Sequence, residues 1–580
     1  MPQSPKVDLK VVQKSAFPSK VHFNQGTAKV GSLVPVLVDE LIPNTTVDIK
    51  MAVAASLPPL AADAFMNVDY CVEAFFVPMR LCYQGFESFF TQTKMNQVYG
   101  NASHVPQIDS SDRAVLPRLF VRVDVDPDEG FSDMSILKQP HNLFDYFSAF
   151  YDQESHYDED TYLPINPMLY VAYNLIWDNW YRNTLVQKSA FASIAGWNNS
   201  LQPSECPFMT LPSSVYTATH GNIYLNALTL YRLNIGQTPS QFSYLWRGCF
   251  ADGHPFFKLR QRNFGFDYFT NSWPSAQHGD SQSVTIADGK FSISALRGAN
   301  SLQQWEEQGQ FCPRLVEAVR ARYGAHLSDS IAQRPICLGS GRYPIVSKSV
   351  DVTATNTGNV NPMAGSAGAQ VARGYANGTE HLIDSFTAQE PGYLFILGSL
   401  VPSVTYSSGV DRLNSRYMLG SFAGQRVEMA DPLLQNTGNQ PIYRFELGGD
   451  IVGDSSGIFG YSDRFADFMV KRNSVHGLLR LTSSNYLSNS LNMFVAQRFF
   501  GGAGSGSSLM QSSAFLQIPT NYLDNVTAVR ESVSTYGYWY ECGFNYRCSM
   551  PLAQYSVPSL QNPAYEHGQT VTVHRGGFRF

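Results

Sequence analysis

Between Tyr536 and Tyr546 every second residue is an aromatic or a cysteine: Tyr536, Tyr538, Tyr540, Cys542, Phe544 and Tyr546. A period of two places alternate side chains on opposite faces of a β-strand, so one face of this strand is a row of rings. An exposed edge of that composition would template aggregation, so the strand must be covered by a sheet or a neighbouring subunit. The same period recurs at Val47, Ile49, Met51 and Val53, which interleave with Asp48 and Lys50. Further strands are predicted at Leu33 to Leu41, Tyr70 to Val77, Tyr393 to Tyr406, Tyr443 to Leu447 and Val475 to Leu481. Strands outnumber helices. Between them run polar, glycine-rich stretches, 356–379 and 501–508, which carry no hydrophobic period and read as mobile loops. The chain has 580 residues, yet no internal repeat and no interdomain linker breaks it. Many strands joined by very long loops predict one elaborated, mainly β sandwich.

Two helices stand out against this background. The first places Leu169, Ala172, Tyr173, Ile176, Trp177 and Trp180 on one stripe, with Asn166 as N-cap and Pro167 in the first position. The second begins at Pro313, carries Leu315, Val316, Val319 and Tyr323 on one face and stops at Gly324. Both read as excursions between strands.

Composition narrows the function. Charged residues are 15% of the chain, below the roughly 25% of an ordinary domain, and aromatics reach 13%, so much surface is expected to lie against other molecules. The formal net charge is −6, which leaves no global field to hold a polyanion at long range. The first twenty residues lack the apolar core of a signal peptide, and the longest apolar stretch, Tyr393 to Val404, is far shorter than a membrane span needs. A soluble chain with no membrane insertion, not exported by that route, is expected. Eight cysteines are scattered without a C-x-x-C pair, as reduced packed thiols are. Cys542 and Cys548 would share a strand face about 20 Å apart, too far to bridge.

Sites of possible chemistry are few. Gly453 to Gly457 fits the G-x-S-x-G elbow around Ser455, but it lies among further glycines with no helix start behind it, and a plain turn is expected. Asp152, Glu154 and Asp158 belong to an acidic cluster whose spacing is not that of an EF-hand; a solvated loop is expected there, with a weak structural divalent-cation site as the alternative. No cofactor motif occurs. The N-terminal arm, residues 1–30, carries Lys6, Lys10, Lys14 and Lys20, and the C-terminal tail, residues 559–580, ends with Arg575, Phe578, Arg579 and Phe580. Such tails can neutralise phosphates, and the two phenylalanines can stack on unpaired bases.

A resemblance emerges from longer segments. Gly31-Ser32-Leu33-Val34-Pro35, followed by Asp39, Glu40 and Pro43, resembles the N-terminal signature of Microviridae major capsid proteins, the gokushovirus-like branch most of all. Phe75 to Leu81, with Phe76, Pro78 and Arg80, is similar to a strand end of that family, and Tyr173 to Arg182, with Trp177, resembles its helix. Asp267-Tyr268-Phe269-Thr270, then Gln333-Arg334-Pro335, then Tyr406 to Arg416 with Arg412, continue the likeness in order. Phe459-Gly460-Tyr461 through Arg464 and Met550-Pro551 through Pro558 complete it.

The resemblance implies an eight-stranded antiparallel jelly roll over 31–558 with large insertions, and no catalysis. It implies a T=1 shell built of pentamers around circular single-stranded DNA, assembled in the bacterial host cytoplasm and found in the virion. A small basic DNA-binding protein, scaffolding and pilot proteins and a host surface receptor are the implied partners. Residues 186–255 are the expected surface-protruding insertion. The rival reading is a phage receptor-binding or glycan-binding β protein, which exposed aromatic loops would also serve.

Overall fold

The computed structural model describes residues 15–60, 67–82, 86, 90, 118–122, 141–149, 162–166, 168–190, 230–231, 258–275, 293–311, 314–351, 370–415, 439–448, 457–463, 466–480, 512–523 and 537–551. Its strands are β1 (Ser15–Ala28), β2 (Val34–Leu41), β3 (Thr46–Leu60), β4 (Val68–Pro78), β5 (Arg118–Arg122), β6 (Tyr162–Ile165), β7 (Leu230–Tyr231), β8 (Ile336–Asp351), β9 (Gln370–Thr387), β10 (Gly392–Pro402), β11 (Asn439–Tyr443), β12 (Ile458–Asp463) and β13 (Tyr538–Met550). Three longer helices are α1 (Met168–Ile176), α2 (Ile293–Phe311) and α3 (Leu315–Tyr323).

Eight strands join in the order β1-β13-β3-β9-β8-β4-β10-β2, every neighbour antiparallel. Counted along the chain, the first of these eight pairs with the eighth, the second with the seventh, the third with the sixth and the fourth with the fifth. That pairing is one long antiparallel hairpin rolled upon itself, the antiparallel jelly roll. The roll turns at β8: Ile336 to Ile345 pair with β4, while Val346 to Asp351 pair with β9. One strand thus carries the chain from the β4-β10-β2 wall to the β1-β13-β3-β9 wall. Gly339, next to a register shift, sits where a Cβ would come 2.0 Å from the Leu382 carbonyl oxygen of β9.

The core fills the space between the walls. Val47, Ile49, Met51, Val53, Ala55 and Leu57 enter it from β3, and Tyr538, Tyr540, Cys542 and Phe544 from β13. Val68, Tyr70, Val72, Ala74 and Phe76 of β4 and Leu394, Ile396 and Leu400 of β10 meet them from the other side. Tyr70 stacks on Tyr540 at 6.4 Å and meets Tyr538 edge-on at 5.9 Å, while its hydroxyl lies 3.7 Å from the Cys542 sulfur. Burial pushes the Cys542 thiol up to about 12, so it stays a protonated, unreactive group in the core. The β4 and β10 strands are buried on both faces, because α1 and the segment 258–264 cover their outer side.

Several sequence expectations need correction. The chain from Ser15 to Ala28 is strand β1 along the sheet edge, so 14 residues of the basic arm are strand, and Lys20 lies in it opposite Tyr546. The expected mobile loop 356–379 becomes β9 from Gln370, held by hydrogen bonds to β3 and β8 rather than by hydrophobic alternation. Tyr443 to Leu447 is not a strand: β11 ends at Tyr443, and Arg444–Leu447 forms a 3₁₀ turn stopped by left-handed Gly448, φ 84°. Val475 to Leu481 likewise gives a turn, Gly477–Arg480, entered through Gly477 at φ 67°. The β10 strand stops at Pro402, short of Tyr406. The α1 helix starts as expected, the Asn166 side-chain oxygen accepting from the Met168 amide at 3.0 Å, and ends in a π-turn, Trp177–Tyr181. Gly324 caps α3 at φ 66°, but the stripe of α3 is not a core stripe, since none of its residues is buried. The α2 helix, which no apolar period announced, is additional.

Replacing Gly339 by alanine puts a methyl against a backbone carbonyl that the β3-β9 pairing holds in place. We expect a loss of about 1–3 kcal/mol in urea unfolding of the subunit; unchanged stability would mean that the β8 crossover has room to move.

Candidate interface surfaces and their anchors

The wall β1-β13-β3-β9 presents its outer face to solvent. Read across the strands, one row is Phe23, Gly543, Ala52 and Thr379, and the next is Val21, Asn545, Lys50 and His381. On β3 and β13 alternation sends the neighbours of these residues, Ile49, Met51, Val53, Cys542, Phe544 and Tyr546, into the core, so this part of the face follows directly from the period of two. It is more apolar than a solvated face should be: Val21 is 65% exposed, Phe23 61%, Tyr375 47% and Trp539 40%. Small residues, Gly543 and Ala52, form the floor, and Phe23 lies over Gly543, where a Cβ would meet its ring at 3.1 Å. Lys50 and Arg547 stand exposed on the same face, and His381 faces Asp48 at 2.7 Å. Rings beside cations on an open sheet can be covered by another protein surface or can stack and neutralise a nucleic-acid strand.

The described residues that carry the sequence signatures do not lie on this face. Most of those described build the layer that fastens the insertions to the other wall. Trp177 donates to the Gln261 carbonyl at 3.2 Å beneath the Arg260 guanidinium, and burial brings Arg260 down to about 10. Arg182 pairs with buried Asp178 at 2.8 Å. Asp267 closes its own turn by accepting from the Phe269 and Thr270 amides at 2.9 and 2.7 Å, and the Tyr406 hydroxyl donates to its second oxygen. Phe269 then packs on Tyr406 at 4.8 Å. Arg334 pairs with Asp329 at 2.6 Å and covers the Trp180 ring, whose nitrogen donates to the Pro335 carbonyl at 2.9 Å. Arg80 pairs with Glu390 at 2.5 Å where β4 ends beyond Pro78. Tyr461 exchanges two backbone hydrogen bonds with Trp273. Phe76 lies in the core against Phe386 at 5.1 Å, and Asp39 and Glu40 end β2 beside β10. Pro551 follows β13 directly.

Sequence reasoning missed two charges at the centre of this layer. Glu73 takes both arms of Arg262 at 2.7 and 2.8 Å and accepts from the Tyr181 hydroxyl, joining β4, the 258–264 segment and the end of α1. Glu446 receives Tyr268 at 3.2 Å, the Tyr443 amide at 3.0 Å and Arg412 at 3.5 Å, with both ion-pair side chains 4% exposed or less. Burial holds the Glu446 carboxyl above its usual range, and Arg412 pulls it back down. A lone acid in an apolar run, as in Val72-Glu73-Ala74-Phe75, is the signal that could have found the first, since unpaired charges are almost never buried.

Lys6, Lys10, Lys14, Asp152, Glu154, Asp158, Ser455, Arg464, Pro558, Arg575, Phe578, Arg579 and Phe580 lie outside the described residues, as do 501–508 and most of 186–255. Among the described residues no group of three or more His, Cys, Asp or Glu could hold a metal, and no helix is long and apolar enough to cross a membrane.

A model of the family described as "Capsid protein (F protein)" matches residues 8–117 and 118–560. The capsid protein VP1 of Chlamydia phage 1 is 26% identical over 641 aligned positions, covering 96% of this chain and 97% of its own length. VP1 of Bdellovibrio phage phiMH2K is 25% identical over 78% of this chain and 80% of its own. VP1 of Spiroplasma virus 4 is 26% identical over 47% of this chain and 46% of its own.

Arg412→Met leaves Glu446 buried without its cation. We expect a loss of about 3–5 kcal/mol at neutral pH. The carboxyl, already raised by burial, then ionises in the folded state at still higher pH than in the unfolded chain, so the loss is smallest below the ordinary carboxylate range and grows as pH rises through the raised value. Urea unfolding across pH reads this directly, and a pH-independent loss would show that the pair is not the source.

Proposed function

The chain belongs to the capsid protein (F protein) family and is a Microviridae capsid protein of the gokushovirus-like branch, and from that premise we propose that it closes a T=1 shell around circular single-stranded DNA. A capsid protein is a structural component of the virion, and its role here is structural rather than enzymatic. The observation that carries the reading is the outer face of the β1-β13-β3-β9 wall, where Val21, Phe23, Tyr375 and Trp539 stand in water on a sheet whose other face is core. A monomer gains nothing from that arrangement. A subunit in a shell covers such surface repeatedly, through several modest contacts that close by symmetry.

In this reading pentamers form first, in the bacterial host cytoplasm, with scaffolding proteins guiding closure. The acidic balance of the chain keeps subunits from condensing on the genome, and a separate small basic protein and the pilot proteins accompany the DNA. Lys6, Lys10 and Lys14, with Arg575, Phe578, Arg579 and Phe580, supply local contacts to the packaged strand, and the insertion 186–255 faces outward toward a host receptor.

Sedimentation velocity on the purified chain across concentration, followed at the protein and nucleic-acid absorption maxima, tests the reading. Discrete pentamers or shell-sized particles are expected, and a strict monomer at high concentration even with a coexpressed scaffold would refute it. Removing Lys6, Lys10 and Lys14 together should lower the slope of log affinity for single-stranded DNA against log salt by about 2, at about 0.7 per phosphate contact. An unchanged slope would clear the arm of any part in DNA binding.

A further inference from the structure

Around the end of α1 and its π-turn the arginines come with a carboxylate: Arg182 with Asp178, Arg262 with Glu73, Arg314 with Glu317 and Arg334 with Asp329. Arg260 is the exception. Its Nε donates to the Asn174 side-chain oxygen at 2.8 Å, and its guanidinium lies 4.8 Å from the centre of the Trp177 ring. Its backbone is held as firmly, the amide donating to the Tyr173 hydroxyl at 2.9 Å and the carbonyl accepting from the Leu33 amide at 2.9 Å. Yet Nη2 is buried without a hydrogen-bond partner, and among the described residues no carboxylate pairs with this guanidinium.

The acid that acts on Arg260 is already committed. Asp178 takes Arg182 on its two oxygens at 2.8 and 3.4 Å, and the first also accepts from the Ala190 amide at 3.2 Å. Arg314, which donates to the Asp178 and Arg182 carbonyls, has Glu317 at 3.4 Å. Lys258 stands exposed two residues before Arg260, about 7 Å away along an extended chain. Among the described residues, therefore, 258–260 carries two positive charges with no acid against them. A guanidinium taken out of water without an anion is costly, and the burial that brings Arg260 down to about 10 expresses that cost.

The geometry says which anion fits. Trp177 and Asn174 fix the plane of the guanidinium, so it offers a rigid fork of N–H donors, and the side chain is only half-buried, so its outer edge reaches water. A planar fork with a lysine beside it suits the oxygens of a phosphate. The two uncompensated charges match the roughly −1.5 to −2 that a phosphate monoester carries near neutral pH, whereas a carboxylate would leave one cation unanswered. We propose that Arg260 and Lys258 bind a phosphate group where the 258–264 segment meets α1, with Trp177 and Asn174 as the positioning residues that hold the fork in place. The site lies within one subunit and does not rest on shell closure, so the two readings fail separately.

Equilibrium dialysis of the full chain against labelled inorganic phosphate, in chloride buffer at constant ionic strength, tests it. One saturable phosphate per chain is expected. Arg260→Met keeps an apolar stem on Trp177 without the charge and should abolish binding. Lys258→Met should weaken it on the order of tenfold, as one charge-assisted contact is lost. Because Lys258 is exposed, that variant keeps the test readable if Arg260→Met does not fold. No saturable binding, or binding that either folded variant leaves unchanged, would overturn the site. Competition then identifies the source of the phosphate. Displacement of the label by a thymidine oligonucleotide without terminal phosphates assigns the site to a nucleic-acid backbone, and displacement by a nucleoside monophosphate alone assigns it to a free phosphate monoester.

Discussion

The contact on which the rest of the molecule depends is the aromatic seam between the two walls of the roll, where Tyr70 of β4 lies between Tyr538 and Tyr540 of β13, 5.9 and 6.4 Å away, with its hydroxyl beside Cys542. These residues are more than 460 positions apart in sequence, and no local preference brings them together. What does is area. A row of rings on one face of β13 can leave water only if another row arrives from the opposite wall, and each such side chain contributes on the order of 2 kcal/mol when it is buried. Once β13 is fixed between β1 and β3, the chain between them has two options, to continue the roll or to leave it as an insertion. The insertions 79–335 and 403–537 take the second.

Those insertions need a different kind of fastening, since the wall they cover already has its core on the other side. Polar anchors provide it. Glu73 points out of β4 into the covering layer, and its bidentate pair with Arg262 and the hydroxyl of Tyr181 fix three chain segments at one point. Asp267, Arg334 and the Arg412–Glu446 pair do the same elsewhere, each closing hydrogen bonds whose loss would strand a charge away from water. Such pairs add little net stability over apolar packing, but they tolerate only one arrangement. The signatures that mark this family in the sequence are in large part these anchors, which explains why they are polar residues in apolar surroundings and why none of them lies on the exposed wall.

Legibility in the sequence follows the same division. β3 and β13 were readable because a strand with one buried face writes its period into the chain, and β4 because a strand buried on both faces reads as a near-continuous apolar run. β9 was not, because its inward positions include Gly374 and Gly378, which carry no apolar side chain, and its place is set by pairing with β3 and β8. Tyr443 to Leu447 looked like a strand because apolar and charged residues alternate there, yet Glu446 turns inward to its own Tyr443 amide and winds the segment into a 3₁₀ turn. α2 was invisible because none of its residues from Ile293 to Leu302 is buried, and a helix that buries no face there writes no apolar stripe into the chain. The exposed wall was half legible, its aromatic strand obvious and its solvent-facing rings, Phe23 and Tyr375, hidden in segments read as arm and loop.

A chain with 15% charged residues would be expected to associate without control, and the way its exposed apolar groups are arranged keeps that in check. On the outer wall they stand singly among Lys50, Arg547, Glu541 and Asn377, and on α2 they alternate with Arg297 and Asn300. Neither surface is a continuous apolar patch of the kind that drives indiscriminate aggregation. Interrupting an interface with polar and charged groups lowers the strength of each contact while making wrong registers costly, since a shifted partner meets like charges or leaves amides unpaired. For a shell this is the favourable regime. Contacts that are individually weak can break and reform until the curvature is right, and only the complete set, closed by symmetry, holds. The stable part of the design is therefore inside each subunit, in the seam and the anchors, and the adjustable part is on its surface.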